Sequence, residues 1–202
     1  MGQTTKADFC RVMFMECIEK IINWKEQLSK FEETNNGKSA ISLMQETINI
    51  NGSSIEAYLS FNYLLMNLLV EEEYDSNDHD YYAGLLKKYF IESYDKFSYD
   101  PKYLFYIAHI ARMSEWYFNI EISDAQSMME KASELEPDSI LYKWAKCCDL
   151  DMRDSSNVEK MILYAKHALL DTNVKEELKS NGALGQYLLD LLRYWSKKKL
   201  DR

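Results

Sequence analysis

The chain is poor in the residues that β-rich and nucleotide-binding folds use at their turns, with two prolines and six glycines among 202 residues. So few breakers argue against a β-sandwich or a series of βαβ units. Long apolar runs are absent too: stretches such as Leu64-Leu65-Met66 and Leu68-Leu69-Val70 are far too short to cross a membrane. Met1 to Lys6 lack the apolar core of a signal peptide, and Lys6 stands where a myristoylation signal needs Ser or Thr. The expected location is the cytoplasm, with no membrane partner.

Motifs that carry chemistry are missing as well. The sequence has no Gly-x-Gly-x-x-Gly, no phosphate-loop lysine, no Gly-x-Ser-x-Gly and no His-Glu-x-x-His. Glu71 and Asp75 are four apart, but nothing near them supplies a nucleophile. The expectation is a protein without enzymatic activity and without a cofactor. Nucleic-acid binding needs a basic face, and only Lys197-Lys198-Lys199 with Arg202 offers one. Cations in a last helical turn are explained by the helix dipole.

Cysteine and histidine do not form a metal pattern. Cys10 and Cys17 are seven apart, Cys147 and Cys148 adjacent, and His79, His109 and His167 stand alone. Adjacent helical residues point about 100° apart, which suits neither a relaxed disulfide nor a shared metal. Reduced thiols buried between helices are the expected state, with no metal site.

What the chain does have is helical periodicity. In Asp124 to Asp138, Ala125, Met129 and Ala132 share one stripe and Pro137 follows five residues after the last. Small residues at Ala125 and Ala132 admit a neighbouring helix, and Met129 fills the gap between them. The same triplet recurs as Ala40, Met44 and Thr47, with Gly52 as the stop. It recurs again as Met161, Ala165 and Ala168, 36 residues after the anchor, and Pro101 precedes Pro137 by 36. Around Tyr82 to Phe97 only Phe90, Phe97 and Asp100-Pro101 fit.

This wording resembles the second helix of the tetratricopeptide repeat, over about residues 38 to 172. The resemblance implies an all-α, tetratricopeptide-like solenoid of about ten antiparallel helices. As a single domain over 1–202 it would comprise an N-terminal helix in 1–37, repeats in 38–172 and capping helices in 173–202. First helices are expected over Ser54 to Val70, Pro101 to Asn119, and from Asp138 or Ser139 to about Asp151. At the end, Glu176 to Lys179 and Leu184 to Lys198 close the array.

Charge and aromatics are uneven. Residues 1–70 sum to −2, 71–138 to −10 and 139–202 to +3, for −9 overall. Glu71, Glu72, Glu73, Asp75, Asp78 and Asp80 fall within ten residues that hold no Lys or Arg. Two readings stand beside each other: a solvated loop between helices, or a landing surface for a basic protein. An EF-hand fails, since Asp75, Asn77 and His79 lack the following Gly and closing Glu. Eleven rings crowd the thirty residues from Tyr89 to Phe118. On the helix from Pro101, Tyr103, Phe105 and Tyr106 span most of the circumference, so some rings are expected at the surface or along a groove.

The family's concave groove, carried onto this chain, implies Glu56, Leu59, Tyr63 and Met66 from one first helix. The next would supply Phe105, Ala108, Arg112 and Trp116. The chaperone-binding members grip a carboxylate with a clamp of Lys, Arg and Asn, whereas Glu56, Leu59 and Tyr63 would offer it no cation. Candidate partner-binding residues are thus the six carboxylates together with Tyr63, Phe105, Arg112 and Trp116. In size, acidity and degenerate repeats the chain is similar to bacterial immunity proteins, which neutralise the toxin domains of contact-dependent or other polymorphic systems. That similarity implies a basic, nuclease-type toxin domain as partner. The alternative is an adaptor or secretion-type chaperone that cradles an extended segment.

The cysteine reading makes a prediction. Cys147→Ala combined with Cys148→Ser leaves partner binding intact, and native mass spectrometry of the wild type shows no bound metal. Stoichiometric zinc would overturn it.

Overall fold

The computed structural model describes residues 23–70 and 76–199. Among the described residues there are eleven α-helices and no strand. They are α1 (Trp24–Glu33), α2 (Gly37–Ile50), α3 (Ile55–Val70), α4 (Ser76–Phe97), α5 (Pro101–Arg112) and α6 (Glu115–Phe118). After them come α7 (Ile122–Leu135), α8 (Ile140–Lys146), α9 (Ser155–Leu170), α10 (Thr172–Ser180) and α11 (Gly182–Lys197), with a 3-10 turn, Cys147–Asp149, between α8 and α9. The chain divides into two units, Met1–Ser54 and Ile55–Arg202. Val12, Met15, Ile18 and Ile22 of the expected N-terminal helix, with Cys10 and Cys17, lie outside the described residues.

In the first unit α1 and α2 pack together across a three-residue turn. Asn35 takes a left-handed φ of 51°, which asparagine tolerates better than most residues. Asn36 then caps α2, its side-chain oxygen accepting from the Ser39 N–H at 3.2 Å. Ala40, Met44 and Thr47 have no exposed surface. The Thr47 hydroxyl avoids an unpaired state by donating to the Leu43 carbonyl at 2.8 Å.

The second unit is built around α5. Asp100 caps it by accepting from the Tyr103 N–H at 2.9 Å, and Pro101 occupies the first turn, where no amide donor is needed. Every residue from Tyr103 to Ile110 is buried. The surface or groove rings expected at Tyr103, Phe105 and Tyr106 are therefore not found there, because other helices cover α5 on all sides. The anchor stripe of α7 lies against it, with Ala125, Met129 and Ala132 fully buried. Helix α3 lies on another side, joined by Lys102 to Glu56 at 3.3 Å. Beyond, Tyr142 of α8 stacks on Phe105 at 4.7 Å and Trp144 on His109 at 6.0 Å, so α5 and α8 run in the same direction. Helices α3 and α4 run oppositely, since Phe61 meets Tyr89 while Tyr58 meets Phe97.

The C-terminal helices do more than end the unit. Helix α11 packs on α9 and α10 and also reaches α3, where Tyr187 lies 6.4 Å from Tyr63. The Tyr106 hydroxyl donates to Glu177 of α10 at 3.1 Å and accepts from the Asn181 amide at 3.0 Å. Burial and the Glu177 carboxylate push the Tyr106 pKa far above the usual phenol range.

Two further differences from the sequence-based expectation matter for function. The helix predicted over Pro101 to Asn119 stops at Arg112. Ser114 takes an extended φ of −164°, and α6 restarts for one turn before Asn119 closes it with a left-handed φ of 56°. The break turns Phe118 inward onto Phe90, ring centroids 5.2 Å apart. The acidic run, read as a loop through Asp80, already belongs to α4 from Ser76, where carboxylates in a first turn are favoured by the helix dipole.

Two predictions test this packing. Ala132→Asp places an unpaired charge where no surface is exposed and lowers stability by about 2–4 kcal/mol, read from thermal melts by circular dichroism. A melt like the wild type's would refute the register. In α11, a Cβ on Gly185 would overlap the Leu178 carbonyl of α10. Gly185→Ala therefore destabilises by about 1–3 kcal/mol, while Gly84→Ala, which meets nothing within 4 Å, does not.

Candidate partner-binding surface

The described part of the acidic run, at the start of α4, is tied to α6, which carries an exposed aromatic. His79 joins them: its Nε2 lies 3.0 Å from the Tyr117 hydroxyl, and its Nδ1 lies 3.2 Å from Asp80. One tautomer satisfies both, with Nδ1–H donating to the carboxylate and Nε2 accepting from the phenol. The His79 and Tyr117 rings are 5.6 Å apart, and Trp116 lies 5.7 Å from Tyr117. Trp116 is 61% exposed and Tyr81 53%, an unusual amount of aromatic surface for side chains with room to bury. Asp80 is exposed and Asp78 half-buried on the same first turns of α4.

Further along α4 a cleft of about 330 Å³ opens between that helix and α7. Phe90, Tyr94, Ile120 and Met128 form its apolar walls, and Asp124, Ser127 and Lys131 its polar ones. Phe118 backs it through its contact with Phe90, so α6 separates the Trp116 patch from the cleft. From His79 to Phe90 is about 17 Å along the helix axis at 1.5 Å per residue. Lys131 donates to the Ser98 carbonyl at 2.8 Å and sits 5.1 Å over the ring of Tyr99, which is 79% exposed.

Of the predicted site residues, Asp80 lies against His79 and Trp116 against Tyr117, while Asp78 is half-buried on the same first turn of α4. Glu71, Glu72, Glu73 and Asp75 lie outside the described residues. Tyr63 and Phe105 do not join the surface. Phe105 has no exposed area and stacks on Tyr142, while Tyr63 is covered at α11. Arg112 pairs with Asp149 at 2.8 Å instead of facing a groove. The first-helix face that a peptide groove requires is filled by the chain's own α10 and α11.

Sequence reasoning missed the cleft, since its walls come from three elements with no local spacing in common. The aromatic excess between Tyr89 and Phe118 was the one available signal. It gave the region but not which rings stay outside.

Cys147 and Cys148 are free thiols, and burial raises both, Cys148 to about 11. Among the described residues no three His, Cys, Asp or Glu side chains are grouped to hold a metal. No described helix is long and apolar enough to cross a membrane. No protein-family model, curated protein or solved structure matches the chain.

Proposed function

We propose that this chain is a non-enzymatic helical-repeat module that binds a basic protein, acting as an immunity-type inhibitor of a nuclease-like toxin domain. The observation that carries the reading is the junction at His79 and Tyr117, which ties the acidic start of α4 to the helix that carries the exposed Trp116. A negative field speeds the encounter with a cationic partner, and an exposed indole supplies buried area once the partner docks. The charge of −10 over residues 71–138 supports the same sign of partner. The tetratricopeptide likeness is supported by successive helix pairs and by the burial of all three triplets. Retention of an extended peptide in the concave face is the weaker reading, because α10 and α11 already cover Tyr63 and Tyr106.

The test is kinetic, using the partner recovered by co-purification from the native cell. Neutralising Glu71, Glu72, Glu73, Asp75, Asp78 and Asp80 to Gln and Asn slows association about tenfold or more at low salt. The difference vanishes near 1 M salt, where the Debye length is about 3 Å. Trp116→Ala instead raises the dissociation rate with little change in salt response. As an inhibitor, the wild type abolishes the partner's activity at one-to-one stoichiometry. If six neutralisations leave the association rate and its salt slope unchanged, the acidic run has no role in binding.

A further inference from the structure

The cleft between α4 and α7 is lined by a cation that the chain itself does not neutralise. Asp124, Ser127, Met128 and Lys131 recur at helical spacing, so one stripe of α7 forms a wall about 10 Å long. Phe90 and Tyr94, one turn apart on α4, stand on the other side. At one end the Lys131 ammonium donates to the Ser98 carbonyl, just past α4, and lies over the Tyr99 ring. At the other end Ile120 stands just before α7. Residues 71–138 carry a net charge of −10, yet among the described residues no carboxylate pairs with Lys131. Asp124 does not serve, because it lies two turns away along α7. Its Oδ2 accepts from the Glu121 N–H at 2.8 Å in the box that caps the helix.

We infer that this cleft binds a small carboxylic acid bearing an aromatic ring, with the ring between the two helices and the carboxylate at Lys131. The volume sets the size. At about 330 Å³ the cleft is at the lower end of small-molecule sites, which run from about 300 to 1,000 Å³, and it suits one ring on a short chain. The walls set the apolar part: Phe90, Tyr94 and Met128 offer two rings and a thioether, groups that pack favourably against another ring.

Charge sets the polar end. An ammonium bonded to one neutral carbonyl keeps further protons for a second acceptor, since Lys has three donors. The Tyr94 hydroxyl, one turn before Ser98, makes no hydrogen bond among the described residues and is a second donor on that side. Asp124 at the far end repels a carboxylate and so fixes the ligand's direction. The occupant is a free acid rather than the end of a peptide, because the Lys131–Ser98 bond and Ile120 bound the slot at its two ends. This inference does not rest on the partner surface and shares no residue with it.

The probes are phenylpropanoate, its neutral amide and phenethylamine, titrated into the full chain with Ile and Met methyl groups labelled for NMR. The acid is expected to saturate at millimolar concentration or below and to shift the methyls of Ile120 and Met128. The amide binds about tenfold more weakly, having lost the charge-assisted bond, and the amine more weakly still. Lys131→Met keeps an unbranched stem and removes the charge, so the acid falls to the level of the amide while the amide is unchanged. Ser127→Phe, at an exposed position, fills the cleft and abolishes binding of all three. If Lys131→Met does not fold, the ratio of acid to amide in the wild type decides. No saturation by the acid, equal binding of acid and amide, tighter binding of the amine, or shifts confined to other methyls would overturn the inference. So would an unaffected Ser127→Phe variant, or a peptide with a free C-terminal Phe that binds more tightly than the acid.

Discussion

Helix Pro101–Arg112 carries apolar and aromatic side chains around its full circumference, and the rest of the second unit follows from covering them. Tyr103, Phe105 and Tyr106 cannot share one face, so a single partner helix would leave rings in water. Four directions are filled: α7 with small residues, α3 from the preceding pair, α8 through stacked rings, and α10 with α11 over Tyr106. The phenol groups add a condition that apolar rings would not. A buried hydroxyl needs a partner, and Tyr103 finds Ser93 at 2.8 Å while Tyr106 finds Glu177 and Asn181. These partners come from α4, from α10 and from the turn residue between α10 and α11, so polar tips as well as ring area fix where the neighbours sit.

The same requirement explains why the C-terminal pair is not a simple lid on the end of an array. In an open repeat the faces of successive first helices line a free groove. Here Tyr63 lies against Tyr187 of α11 and Tyr106 bonds Glu177 of α10, so neither ring is left in water. The close approach at Gly185 lets the two helices pack tightly enough to reach both α9 and α3.

Local signals in the sequence were reliable where one side chain decides the outcome. The triplets at Ala40, Ala125 and Met161 report helix contacts through size and spacing, and every member is buried. Pro101, Asp100 and Ser139 mark helix starts through groups that bond within three residues. Non-local outcomes were not readable. Nothing near Met113 and Ser114 forbids a continuing helix; the break follows from Phe118 packing on Phe90, 28 positions away. Nor does anything near Glu177 announce that it will accept the hydrogen bond of the Tyr106 hydroxyl. Such pairings depend on which helices become neighbours, which a periodicity of 3.6 residues does not encode.

The break after Arg112 is where interior and surface are sorted. Residues two apart on a helix point about 200° from one another, so the one-turn helix α6 can turn Phe118 inward while Trp116 faces outward. Stopping at Ser114 frees α6 to do both: Phe118 is 2% exposed and Trp116 61%, two residues apart. Tyr117 between them bonds His79, which ties α6 to the first turns of α4. The local cost is one interrupted helix and buried polar atoms gathered at the junction. Keeping a large aromatic in water beside carboxylates contributes nothing to the stability of the isolated chain.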